Sequence, residues 1–252
     1  MKMIIKLLAM TIVAVSVLVA CNTSSGPLTP EDRAERAAEH EAAKLIEGEA
    51  AVEACRDTRC DRLDLDGTRL SDFTVLNDMT HVKALMVSRT NFENLVDIAG
   101  MSQLQELHIS YTSIADLSGL SAFTNLDVLH MEGLREKPSL APLATPALFG
   151  LVELALTTEK EDSITFLANM KSLKRLKFGY GEVGSLRPLD GHPSLEKLSS
   201  ESDILSWQRG LLRIPRLKEF YVGGSMRNLD AGIRSTLEER GLLVDAPPIV
   251  VC

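Results

Sequence analysis

The sequence predicts an α/β solenoid, a stack of short parallel strands joined by tight turns. Three observations predict it. Apolar residues recur on a 22-residue ruler: Val82, Leu104 and Leu126, then, after one step of 25, Leu151, Leu173, Leu195 and Leu217. Three and five residues beyond each start lie two more apolar residues in nearly every case, from Leu85/Val87 and Leu107/Ile109 to Leu176/Phe178 and Phe220/Val222. Beyond these, apolar residues continue at three-residue spacing, which favours 3₁₀-type turns over a full α-helix. A fixed period of this length marks units that bury their apolar face only by stacking on neighbours. Stepping back from Val82 reaches Cys60 with Leu63/Leu65, so about eight units fill residues 60–224.

Each unit can be read from its first apolar residue. Positions 1, 4 and 6 enclose a short strand. Position 9 is small and polar in most units (Thr68, Thr90, Thr112), where a hydroxyl can turn inward and satisfy backbone groups leaving the strand. Positions 11, 14, 17 and 20 send Leu70, Phe73, Leu76 and Met79 inward in the first unit, and their counterparts in the others. The pattern L-x-x-L-x-L-x-x-T-x-I-x-x-L-x-x-L resembles the internalin-type leucine-rich repeats of bacteria. That resemblance implies an arc with parallel strands on the concave face and 3₁₀ or irregular turns on the convex face.

Three departures predict irregularities. The fourth unit is three residues longer and carries Pro138 and Pro142, so its convex side should bulge. The fifth has Glu159 to Asp162 where an apolar residue is expected, which predicts a polar loop. The seventh places Ser200 and Gln208 at core positions, and Trp207 is expected to compensate.

The chain opens with Lys2 and Lys6 followed by an apolar run from Leu7 to Ala20. The run is too short for a stable membrane span and reads as a secretory signal, residues 1–20. It ends Leu18-Val19-Ala20-Cys21, which resembles the bacterial lipoprotein box. The resemblance implies lipidation of Cys21 and a lasting membrane anchor, since two or more acyl chains bind far more firmly than one. Asn22 after the Cys implies, by the sorting rule of that family, the outer membrane of a Gram-negative cell. Residues 21–29 form a polar tether. Thr29-Pro30-Glu31-Asp32 then reads as a helix start. Residues 30–59 should be a helical spacer, ended or bent by Gly48, followed by an N-terminal cap. Its apolar face is thin: Ala34, Ala37, Ala38, Ala42, Leu45 and Ile46. Residues 225–252 should cap the other end, with a helix from Leu229 to Arg240.

Net charge is −8, with 35 acidic residues against 27 basic. Losing Lys2 and Lys6 with the signal takes it to about −10, a balance that repels phosphate backbones and excludes nucleic acid. Besides Cys21 there are Cys55, Cys60 and Cys252. An oxidising envelope permits a disulfide. Cys55 and Cys60 are expected to pair and staple the cap, the alternative being two buried thiols. Cys252 lies roughly 35 Å away along eight rungs, so it should be free or intermolecular.

Alternation along a strand puts positions 3 and 5 on the concave face, with 7 and 8 at its edge. Two zones follow. The middle carries Glu106, His108, Tyr111, His130, Glu132 and Glu153. The C-terminal half carries Arg175, Lys177, Tyr180, Lys197 and Tyr221. Exposed aromatics among split charges suit a protein partner. Adjacent His108 and His130 suggest a pH-sensitive patch, and parallel rows converge too poorly for a metal. No nucleophile elbow, H-E-x-x-H, phosphate loop or C-x-x-C is present, so no enzyme and no cofactor are expected. The expected function is protein binding by the concave face of a lipid-anchored envelope protein. The alternatives are a binder of glycan or wall polymer and a passive scaffold.

Overall fold

A computed structural model describes residues 29–201, 206–223 and 229–244. The expected signal, Cys21, most of the tether, parts of the expected C-terminal cap and Cys252 lie outside them. The chain comprises two units, Met1–Glu41 and Ala42–Cys252. Helix α1 (Pro30–Thr58) begins in the first and ends in the second. Its start is as the sequence predicts. The Asp32 amide donates to Thr29 Oγ1 at 3.1 Å, and Asp32 Oδ2 accepts from the Thr29 amide at 3.0 Å and hydroxyl at 2.8 Å. These bonds, the hydroxyl's foremost, hold the Asp32 carboxyl below its usual range.

Nine parallel strands among the described residues form one sheet in sequence order. They are β1 (Arg62–Asp64), β2 (Ala84–Met86), β3 (Glu106–His108), β4 (Val128–Met131), β5 (Glu153–Leu156), β6 (Arg175–Phe178), β7 (Lys197–Ser200), β8 (Glu219–Val222) and β9 (Leu243–Val244). The register follows the ruler. Leu63, Leu85, Leu107, Leu129, Leu154, Leu176, Leu198 and Phe220 stand opposite one another in turn. The 25-residue step leaves this pairing intact, because its extra residues fall outside the strand. The strand leucines join the convex-side residues in one continuous apolar core. Each fully buried side chain of this size contributes about 1.5–3 kcal/mol.

The return path is made of short 3₁₀ turns, such as Phe73–Leu76, Leu95–Ile98 and Thr165–Asn169. Inward residues every three positions fit that geometry. In the first three units the threonine at position 9 donates its hydroxyl to the carbonyl three residues back: Thr68 to Leu65 at 2.8 Å, Thr90 to Val87 at 2.6 Å, Thr112 to Ile109 at 2.7 Å. The fourth unit spends its extra residues on a second turn, Pro146–Leu148 after Ala141–Ala144. The fifth does carry a polar loop, closed by the Glu159 amide on Asp162 Oδ2 at 2.7 Å. In the seventh, Ser200 and Trp207 are buried and Trp207 packs edge-on against Phe220, with centroids 6.3 Å apart.

The helix preceding the first rung differs from expectation. It does not end at Gly48 but continues to Thr58. The face it buries is Gly48, Val52 and Cys55, while Ile46 is exposed. Gly48 is there for close approach: a Cβ at this position would collide with the Arg69 carbonyl oxygen. The helix stops at Arg59, which takes the left-handed conformation (φ 53°), and the Cys60 amide bonds back to the Cys55 carbonyl at 3.1 Å. The Cys55–Cys60 disulfide closes the same turn, with Cα atoms 4.9 Å apart. At the other end, α2 (Ala231–Glu239) is shorter than the expected helix and ends at Gly241. Asp230 caps it, accepting from Gly232 and Ile233, and the Asp230 amide donates to Gln208 Oε1 at 2.8 Å. Gln208, a misfit at a core position, thus ties the last rungs to the cap. Strand β9 was not anticipated from the sequence.

Candidate functional site

The strand face places the candidate residues in the expected rows but buries several of them. His108 and His130 are each 3% exposed, Glu132 6% and Glu153 8%. The sequence puts these four on the outward side of the strands, yet little of each is open to solvent. Strands lie about 4.8 Å apart. In-register side chains therefore cover one another, and a row of large polar groups leaves little of itself in water.

Burial favours pairing. Glu132, Glu153 and His130 Nε2 have partners, whereas His108 Nε2 and His130 Nδ1 accept or donate no hydrogen bond among the described residues. Arg62 reaches over Ala84 on the intervening strand to Glu106 Oε2 at 2.9 Å. Glu106 Oε1 lies 2.9 Å from His108 Nε2, without the direction of a hydrogen bond. The His108 and His130 rings lean on each other, centroids 4.2 Å apart and 41° between planes. His130 Nε2 donates to Glu153 Oε1 at 2.9 Å, and Glu153 Oε2 accepts from Arg175 Nε. A chain of polar contacts thus runs Arg62–Glu106–His108–His130–Glu153–Arg175 across the first six strands. Lys177 reaches Glu132 at 3.1 Å and Lys197 reaches Glu219 at 2.8 Å. The middle and C-terminal zones read from the sequence are linked at two points, where Glu132 and Glu153 take Lys177 and Arg175 from β6. No group of three or more His, Cys, Asp or Glu placed to hold a metal occurs among the described residues.

Burial pushes the His108 imidazole down to about 4, with the facing His130 adding to the effect. Burial alone would raise the Glu153 carboxyl, but the His130 and Arg175 hydrogen bonds outweigh it and hold it low. His192 is also depressed, chiefly by burial, and its Nε2 bonds to the Met170 carbonyl at 3.1 Å. A histidine lowered on folding takes its proton more readily unfolded. Stability is therefore full above about pH 6.5 and falls as pH drops toward 4. A loss on the order of 2 kcal/mol is expected between about pH 7 and 5, measured by urea unfolding. His108→Gln should flatten that slope, and an unchanged slope would show that His108 does not set it.

Next to the closed face runs a ridge at position 8. Gly67, Arg89, Tyr111 and Gly133 occupy it in the first four units, and all four have positive φ: 75°, 58°, 60° and 61°. The conformation extends the ladder past the strand. Gly67, Arg89 and Tyr111 donate to the carbonyls of Ser88, Ser110 and Glu132 at 2.8, 2.9 and 2.8 Å. Glycine adopts it freely, whereas a side chain there costs about 1–2 kcal/mol. Arg89 and Tyr111 bear that cost with their side chains outward. The Arg89 guanidinium lies 4.8 Å over the Tyr111 ring, and Tyr111 is 37% exposed. The ring rests on Gly133, where a Cβ would come within 2.5 Å of it. Further along, Tyr180 is 75% exposed, and Tyr221 is half-buried. The sequence places Arg89 at position 8 with Tyr111 and Tyr180, but outside the two zones of candidate residues; a further signal is the glycine that fills this position in the first and fourth units.

No family model matches the sequence, and no curated protein matches it. Among solved structures, it is similar to an internalin (inlF) from Listeria monocytogenes, at 20% identity and TM-score 0.56, over 80% of this chain and 67% of that one. It is also similar to an internalin C2 (inlC2) from the same species, at 18% identity and TM-score 0.52, over 74% and 79%. The fold is that of a leucine-rich-repeat solenoid. Likeness at this identity concerns the fold, and the residues of the leucine-rich-repeat strand face must be read on their own chemistry.

Proposed function

We propose that this leucine-rich-repeat chain is a membrane-anchored lipoprotein that binds a protein partner through its strand face and the adjoining ridge. The observation that carries the reading is the division of that surface. The charged side chains of the rows pair with one another across the strands, while Arg89, Tyr111 and Tyr180 stand exposed beside them. Aromatics and arginine on a preorganised base are the material of an interface hot spot. The lipobox-like run ending at Cys21 supports the anchor, and Asn22 supports the outer membrane.

A photo-crosslinking residue at Tyr180, with a control at exposed convex Lys171, tests the binding face in living cells. One discrete protein adduct from the Tyr180 site alone is expected. The same adducts from both sites would remove the support for this face, and no protein adduct would shift the reading to a glycan. Anchoring is tested by Cys21→Ala, which should move the protein from the membrane to the soluble fraction. Unchanged fractionation would exclude lipid at that residue.

A further inference from the structure

We propose that the Arg89–Tyr111 stack is the anchor point for an acidic segment of a protein partner, its guanidinium receiving an Asp or Glu carboxylate. The proposal rests on the protein-binding reading above and names the chemistry of the segment bound. Four concave cations, Arg62, Arg175, Lys177 and Lys197, each already have a carboxylate within the face. Arg89 is different. It is exposed, its close contact is the Tyr111 ring, and no ion pair is formed by it among the described residues. Its acidic neighbour Asp66 accepts the Ser88 amide at 2.6 Å and acts on Arg89 through charge at a distance, without an ion-pair contact.

The stack also fixes the geometry of recognition. A guanidinium lying over a ring keeps its edge of N–H donors available for a carboxylate in its own plane. The ring is held from beneath by Gly133, so the aromatic platform is set before anything binds. Both side chains stand on backbone in the left-handed region, at a position filled by glycine in the first and fourth units. Strain of this kind, carried by residues that project outward, points to a use outside the fold. The ring edge beside the guanidinium offers apolar contact to the residues flanking a carboxylate, which a free inorganic anion would not exploit.

The test uses the full chain and its small tyrosine count. With three Tyr in the sequence, ring-labelled protein gives separate reporters at Tyr111, Tyr180 and Tyr221. The probes are two short peptides of one length, one rich in Asp and Glu, the other with Asn and Gln in their places. The acidic peptide should shift the Tyr111 signal saturably, and the amide peptide should not. Arg89→Gln should weaken the acidic peptide by about tenfold or more, with Arg89→Lys intermediate, because lysine keeps the charge but loses the planar fork. The Tyr180 and Tyr221 signals report whether each variant remains folded. Equal response to both peptides, unchanged affinity in folded Arg89→Gln, or displacement of the peptide by equimolar inorganic phosphate would overturn the proposal. A discrete crosslink at Tyr180 together with any of these results overturns the carboxylate assignment while leaving the protein-binding reading standing.

Discussion

Phe123→Ala is expected to lower the unfolding free energy by about 3–5 kcal/mol, the range for deleting a buried aromatic. Phe123 has no exposed surface and ends the 3₁₀ turn Ser118–Ala122, in the third of the eight units. The size follows from two losses: the transfer energy of the ring, and the cavity left where neighbouring rungs cannot close in. They cannot close in because each is held in register by its own strand. In a stack, every unit is stabilised by the interfaces on both sides of it. A cavity in the middle of the array weakens both at once, so urea unfolding should begin earlier and broaden. A loss below about 1 kcal/mol would mean that the rung collapses to fill the space, contrary to the rigidity inferred from the register.

Gly48→Ala is expected to destabilise, against the rule for helices. Alanine in a helix interior is normally favoured over glycine by about 0.5–1 kcal/mol. Here the added methyl would collide with the Arg69 carbonyl oxygen, a backbone atom with no rotamer in which to retreat. The helix would have to lift from the first rung, loosening Val52, which lies on the same face. Overpacking of this kind costs about 1–3 kcal/mol, so the net change should be negative. The sign is the test. A stabilised Gly48→Ala protein in thermal unfolding would show that the helix does not sit against Arg69.

The fold could be read from the sequence because one period governs it. Every strand leucine predicts its partner 22 or 25 residues away, and the pairing of Leu63 with Leu85 through to Phe220 follows that arithmetic. The departures were legible as well, since Pro138, Glu159 and Gln208 violate positions that the other units define. The surface was less legible. Alternation places His108 and His130 on the outward side of the strand correctly, but it cannot say that rows of side chains cover one another. It also cannot show that Glu153 draws its partner from the next strand, or that Ala84 is small enough for Arg62 to pass over. Gly48 misled because a glycine in a helix reads as a break when nothing shows the strand–turn backbone it touches. The ridge needed φ angles. Tyr111 is a candidate from the sequence alone, but its link to Arg89 shows only when both are seen in a conformation that Gly67 and Gly133 adopt without strain.

The uniform register has a consequence for how such a chain can change. Because each strand pairs one-to-one with the next, and the longer fourth unit keeps that pairing, a rung is a separable module. Copying the stretch from Thr90 to Tyr111 would lay down one more strand and one more turn while the rest kept their partners. The new rung would carry a second tyrosine onto the ridge beside the first. Variation in this protein can therefore proceed by duplication as readily as by substitution, lengthening the row of contacts it offers without redesigning the interior.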